Sequence, residues 1–251
     1  FKDGRVDEDA FQSFVEWQID EGTEAVIPCG TTGESPTLSH EEHMRVTESC
    51  IEAAAGKVPV IAGTGSNSTE EAIMLTRHAK DAGATAALVV TPYYNRPTQE
   101  GLYRHYKAIN DAVDLPILIY NIPGRSVVDM SVDTMARLAK LANIVGVKEA
   151  SSDAVQITQI VDAAPEGFQV WSGNDDETFS IMCVGGYGIV SVAANIIGNQ
   201  IKTMMGMVLE GDVERAAAEH RRMLPLFKAL FWVTNPVPIK YAVNRSGFDA
   251  G

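Results

Sequence analysis

The sequence predicts an α/β protein of the (β/α)8 TIM-barrel class with a C-terminal helical appendage. Three observations predict it. Short apolar runs alternate with amphipathic stretches along most of the chain, the pattern of strands joined by crossover helices. Polar, glycine-rich turns follow the apolar runs, so chemistry gathers at the carboxyl ends of the strands. No dinucleotide or Walker fingerprint favours an open doubly wound sheet: Gly63-Thr64-Gly65 lacks the third glycine of GxGxxG, and Gly30-Thr31-Thr32-Gly33 is no P-loop.

Residues 7–20 read as an amphipathic helix, with Phe11, Phe14, Val15 and Ile19 at three- and four-residue spacing. Residues 25–28 read as a strand, followed by the turn 29–35 and a helix opened by the capping box Ser39-x-x-Glu42. The unit then repeats. A strand at 58–62 leads through turn 63–67 to a helix opened by Ser68-x-x-Glu71, and a strand at 86–91 leads through turn 92–97 to a helix at 98–112. A strand at 115–120 runs into turn 121–126 and a helix at 131–141. A strand at 143–150 precedes a helix at 153–163, and a strand at 168–171 precedes turn 172–175 and a helix at 177–184. The last strand is 187–192; helices at 197–209 and 213–230 and a final stretch after 236–238 complete the chain. That makes seven strands where a barrel needs eight, and the chain opens on a helix, so the first strand is expected to be missing. The domain expectation is a barrel without its first strand over 1–197 and a truncated helical region over 198–251.

With 251 residues, 45% of them hydrophobic, the chain can bury a sizeable core. A formal net charge of -13 argues against nucleic acid or an anionic membrane as partner. Cys29, Cys50 and Cys183 are odd in number and form no CxxC pair, which fits a reducing cytoplasm. No apolar run approaches the ~18 residues of a membrane span. His40 and His43 lack the HExxH spacing, and no Cys or Asp cluster completes a metal site, so no metal and no cofactor is expected.

The strand 143–150 carries Lys148 almost at its end, among Val, Ile and Gly. Loss of hydration favours the neutral amine, a nucleophile toward carbonyls and the usual source of Schiff bases. Alternatively the side chain leaves the strand to reach solvent or to pair with Glu149. Thr31 and Thr32, Tyr93 and Tyr94, Tyr120 and Arg125, and Gly173 fall at the same ends of their strands. The threonine turn either satisfies its own backbone or offers amides and hydroxyls to a carboxylate. Tyr94 and Tyr120 either plug strand ends or shuttle protons. Arg125, on a Pro-Gly turn, is either solvated or grips a carboxylate bidentately.

With Gly30-Thr31-Thr32-Gly33-Glu34, Tyr93-Tyr94-Asn95, Tyr120-Asn121-Ile122-Pro123-Gly124-Arg125 and Gly146-Val147-Lys148-Glu149 in this order, the whole chain resembles the dihydrodipicolinate synthase (4-hydroxy-tetrahydrodipicolinate synthase) family. These are pyruvate-dependent class I aldolases and lyases on (β/α)8 barrels. The resemblance implies that Lys148 forms a Schiff base with pyruvate, in lysine and diaminopimelate biosynthesis. It further implies that Thr31 and Thr32 hold the pyruvate carboxylate, that Thr32, Tyr94 and Tyr120 relay protons, and that Arg125 binds aspartate semialdehyde. Gly173 and Val190 would line the site with backbone groups. Tyr94 would reach into a neighbouring subunit, in a homotetramer built as a dimer of dimers. Ser35, His40, His43, Asn67, Glu71 and Tyr93 match positions that bind L-lysine as a feedback inhibitor, and Pro36 departs from the small residue often found there. Two other readings stand beside this one. A sister aldolase acting on 2-keto-3-deoxy sugar acids would keep Lys148 and Tyr120 but not need Arg125, and a catalytically silent, lysine-binding barrel would need neither.

Overall fold

Six of the apolar runs form strands: β1 (Ile61–Gly63), β2 (Ala86–Val90), β3 (Ile117–Asn121), β4 (Ile144–Glu149), β5 (Gln169–Ser172) and β6 (Gly188–Ile189). The helices, in chain order, are α1 (Glu8–Asp20), α2 (His40–Ala54), α3 (Thr69–Ala82), α4 (Gln99–Ala112), the single turn α5 (Pro123–Ser126), and α6 (Val132–Leu138). They continue with α7 (Ala154–Ala163), α8 (Thr178–Cys183), α9 (Ala194–Leu209), α10 (Val213–Ala229) and α11 (Val237–Arg245). The computed structural model describes Phe1–Gly251. The chain divides into two units, Ala62–Val190 and a second one made of Phe1–Ile61 with Ser191–Gly251.

In the unit Ala62–Val190 the strands lie side by side in sequence order, and β2 to β6 pair in parallel. Helices separate every pair of strands, which is what parallel neighbours require of their connections. Val89, Ile119, Val147 and Val170 fall in register across four strands. They meet Leu102, Tyr106, Ile109, Met135, Leu138, Ile157 and Ile160 from the helices in one buried cluster. On α4 the spacing of Leu102, Tyr106 and Ile109 places all three on one face, and each is fully buried. Burial of side chains of this size is worth roughly 1.5–3 kcal/mol apiece. The Tyr106 hydroxyl, buried with them, donates to the Val89 carbonyl at 2.8 Å.

Strand alternation sends the next residues the other way. Val90, Tyr120, Lys148 and Trp171 form a register row on the opposite face of the sheet, at the carboxyl ends of β2 to β5.

In the other unit, α1 and α2 bury Val15, Cys50, Ala53 and Ala54 against Val26 and Val60. Phe14 meets Phe248 edge to face and Trp17 meets it at a tilt, ring centroids 5.2 and 5.0 Å away. The capping box of α2 is complete: Glu42 N–H donates to Ser39 Oγ at 3.1 Å, and Ser39 N–H to the Glu42 carboxylate at 2.9 Å. At α3 only half of the expected box forms. Ser68 Oγ takes the Glu71 N–H at 3.4 Å, while the Glu71 carboxylate accepts from the Ser66 hydroxyl.

Residues 25–28 differ from expectation. Only Val26 pairs, giving its N–H to Pro59 and taking that of Ile61, and Pro28 has no N–H with which to prolong the ladder. The seven expected strands are therefore six strands and a bridge. The long helix expected from 197 starts earlier, at Ala194, with a break at Ile197 (φ -135°, ψ 37°). No helix is long and apolar enough to cross a membrane.

Candidate active site

Lys148 is the fifth of six residues in β4 and only 9% exposed. Its amine sits over the face of the Tyr120 ring, 4.0 Å from the centroid, and Tyr120 is its register neighbour on β3. The alternative of a pair with Glu149 does not form. Glu149 points to the helix-covered face and accepts from Asn121 at 3.1 Å and from Ser151 N–H at 2.8 Å. Burial pushes the Glu149 carboxyl up to about 7, against the lowering effect of those hydrogen bonds and with a further rise from Asp129.

On the other side of Lys148 the register neighbour is Trp171 of β5, whose ring meets that of Tyr187 at a tilt, centroids 4.7 Å apart. Its indole N–H is buried without a partner. Gly173 follows β5 and donates its N–H to the Glu149 carbonyl at 2.7 Å; Val190 follows β6 and donates to Ser172 at 2.9 Å. Both N–H groups are thus used in holding the strand ends together. A Cβ at Gly173 would lie 2.7 Å from that of Ala150 and 3.0 Å from the Glu149 carbonyl oxygen, so only glycine fits between these strands.

Arg125 lies exposed on the one-turn helix α5. Pro at the first position pre-sets this turn, and Val127 closes it at φ 60°. Tyr94 is 90% exposed and also lies at positive φ, 71°. Tyr93 is half-exposed, and its carbonyl accepts from Asn67 Nδ2 at 3.2 Å. Asn95 Nδ2 in turn donates to the Asn67 carbonyl at 2.9 Å.

The remaining expected residues belong to the other unit. Thr31 and Thr32 are half-buried, and Thr32 Oγ1 accepts from Asn235 Nδ2 at 2.9 Å. Ser35 opens a short 3-10 turn, His40 is exposed at the start of α2, and His43 is buried one turn on. An ordinary solvated helix position thus describes His40 but not His43.

Sequence reasoning singled out Lys148, Tyr120 and their strand ends, weighed Glu149 only as an ion-pair partner of the lysine, and passed over Trp171 and Asn121 as site neighbours. The signal was present. Counting residues outward from Lys148 places Glu149 on the opposite face, and aligning the strands by their turns places Trp171 beside the lysine.

A parallel sheet with crossover helices and a buried lysine at a strand's carboxyl end defines an α/β barrel-class protein with a carbonyl-reactive amine in its candidate site. The dihydrodipicolinate synthetase family matches residues 1–251, and the chain belongs to that family. A 4-hydroxy-tetrahydrodipicolinate synthase from Rhodospirillum centenum is 60% identical, over 98% of this chain and 85% of its own length. The crystal structure of dihydrodipicolinate synthase from Aquifex aeolicus superimposes with a TM-score of 0.98 at 49% identity, covering 100% of this chain and 86% of that one. The synthase of Cyanidioschyzon merolae, solved with lysine bound, scores 0.96 at 41% identity, covering 98% of this chain and 84% of that one. A monomeric dihydrodipicolinate synthase variant scores 0.96 at 46% identity, covering 99% and 84%. The expected fold class is that of these structures.

Proposed function

We propose that this chain condenses pyruvate with L-aspartate 4-semialdehyde to 4-hydroxy-tetrahydrodipicolinate, a lyase reaction of lysine and diaminopimelate biosynthesis, through a Schiff base on Lys148. The observation that carries the reading is the Lys148 amine, buried at the carboxyl end of β4 on the face of Tyr120, in a chain that belongs to this family. The amine adds to the pyruvate ketone, and water leaves to give an iminium ion. That cation acidifies the pyruvate methyl group, whose lost proton yields the enamine nucleophile. The enamine adds to the aldehyde carbon, the new alkoxide takes a proton, and the adduct's own amine displaces Lys148 as the ring closes. Tyr120 is the group beside the amine and the first link of the proton relay, with Thr32 and Tyr94 as its further members. Thr31 and Thr32 take the pyruvate carboxylate, Arg125 that of the semialdehyde, and Gly173 and Val190 line the site.

L-Lysine is the proposed feedback inhibitor, held by Ser35, His40, His43, Asn67, Glu71 and Tyr93. The lysine-bound synthase of C. merolae supports this part of the reading. A homotetramer and a cytoplasmic location belong to the same proposal; the first is supported by the exposure of Tyr94, the second by three unpaired cysteines.

Incubation with pyruvate, reduction with borohydride and peptide mapping test the reading, with a mass adduct on Lys148 as the expected result. No adduct sinks it. Given an adduct, Arg125→Ala is expected to cost roughly 1.5–3 kcal/mol in kcat/KM for aspartate semialdehyde, the worth of a charge-assisted hydrogen bond. Indifference to that substitution, with N-acetylmannosamine accepted instead, moves the assignment to the sugar-acid aldolases.

A further inference from the structure

One residue beyond Tyr120, Lys148 and Trp171, the strands carry Asn121, Glu149 and Ser172, in register with one another and fully buried. By alternation these side chains share the helix-covered face with Ile119, Val147 and Val170. Polar groups in such surroundings are costly unless hydrogen-bonded, and here the bonds run in a definite direction. Asn121 Nδ2 donates to both Glu149 carboxyl oxygens at 3.1 Å and to Asp129 Oδ1 at 2.8 Å. Asn121 Oδ1 accepts the Met130 N–H at 3.1 Å. Ser151 N–H donates to Glu149 Oε1 at 2.8 Å, and Gln156 Nε2 to Asp129 Oδ1 at 3.0 Å.

Asn121, at the start of the segment 121–130 in which Arg125 rides, therefore bonds the far end of that segment at Asp129 and Met130 and fastens it to the strand that presents Lys148. We propose that Asn121 and Glu149 are positioning residues: from the far side of the sheet they set the Arg125 turn relative to Tyr120 and Lys148. The inference rests on the reading of Arg125 and Lys148 given above. Its consequence is selective. The Schiff-base lysine and Tyr120 are strand residues held by the sheet ladder and the pyruvate carboxylate falls to the separate turn of Thr31 and Thr32, whereas the semialdehyde half hangs on a turn that Asn121 closes by side-chain bonds.

Asn121→Ala removes the closure at Met130 and Asp129. Its KM for aspartate semialdehyde is expected to rise at least about tenfold while that for pyruvate changes less than about threefold, as misplacement of one binding group demands. Glu149→Gln keeps the shape but loses one acceptor oxygen, and should show the same selectivity in milder form. Because the two act as a unit, the double variant should be no worse than Asn121→Ala alone. Equal changes in both KM values that follow a fall in melting temperature, no change in either, or multiplying effects in the double variant would overturn the inference. If Asn121→Ala does not fold, Glu149→Gln carries the same test. Borohydride trapping of pyruvate by the wild type separates the two claims: no adduct overturns both, while an adduct with unselective variants overturns this one alone.

Discussion

Lys148 and Glu149 are consecutive, yet strand alternation gives them unlike surroundings: the amine lies against an aromatic face, and the carboxyl lies among helices with amide donors. Burial raises the Glu149 carboxyl from 4.5 to about 7. Between those values the folded chain keeps a proton that the unfolded chain has released, so stability falls as pH rises through this window and levels above it. Glu149→Gln has no such proton to lose. Across pH 4.5 to 7 the wild type should therefore lose stability relative to Glu149→Gln, measured by denaturant unfolding at each pH; parallel curves would contradict a buried, mostly protonated carboxyl. His105 of α4 shows the opposite sign. Burial lowers its imidazole from 6.5 to about 4 while Thr69 of α3 bonds its Nδ1 at 2.9 Å. An unfolded chain takes up the proton first on acidification, so stability is lost as pH falls from 6.5 to about 4. His105→Gln should flatten that part of the wild-type curve.

At the scale of elements, the approach of β4 to β5 depends on Gly146. A Cβ there would lie 2.5 Å from the Gln169 carbonyl oxygen, a backbone atom that cannot move without shifting β5. Gly146→Ala is expected to destabilise the fold by about 1–3 kcal/mol, as overpacking does. It should also slow pyruvate trapping, because Lys148 lies two residues further along the same strand. A variant as stable and as quickly trapped as wild type would show that these strands can part freely. This kind of closeness is invisible in composition and periodicity, which explains what was and was not legible. The helices of residues 7–20, 98–112 and 213–230 announce themselves by apolar spacing, and Ser39 with Glu42 by their chemistry. Residues 25–28 look like any buried strand, but strand formation needs a partner along their length, and local sequence carries no record of partners. The half-formed box at α3 fails for a related reason: Ser66, two residues before Ser68, takes the carboxylate that local pattern assigns to the cap. Lys148 was legible because a charge in an apolar run is conspicuous. The part played by Asn121 was not, because a polar residue just past a run looks solvated until helices are seen to cover it, and of Glu149 only its placement opposite Lys148 could be read by counting.

At the scale of the whole molecule, the residue that matters is Tyr94. It is 90% exposed, held at φ 71° in a turn, and an aromatic ring of that exposure buries a large apolar surface on contact with a partner. The proposal that it completes a neighbouring subunit's relay has a distinctive consequence. Lys148→Arg and Tyr94→Phe should each be strongly impaired alone, the first through loss of the Schiff base and the second through loss of a proton carrier. In a hybrid dimer of the two, one site has neither group, while the other has its own Lys148 and receives Tyr94 from the partner. Mixing the two variants under conditions of subunit exchange should therefore restore activity toward the level of one intact site per hybrid. If Tyr94 serves its own chain, every site in the hybrid lacks one group and mixing restores nothing. A Tyr94→Phe variant that is fully active would remove the residue from the relay altogether. Sedimentation of the wild type over the same concentrations supplies the control, since complementation requires that the chain associate where the assay is run.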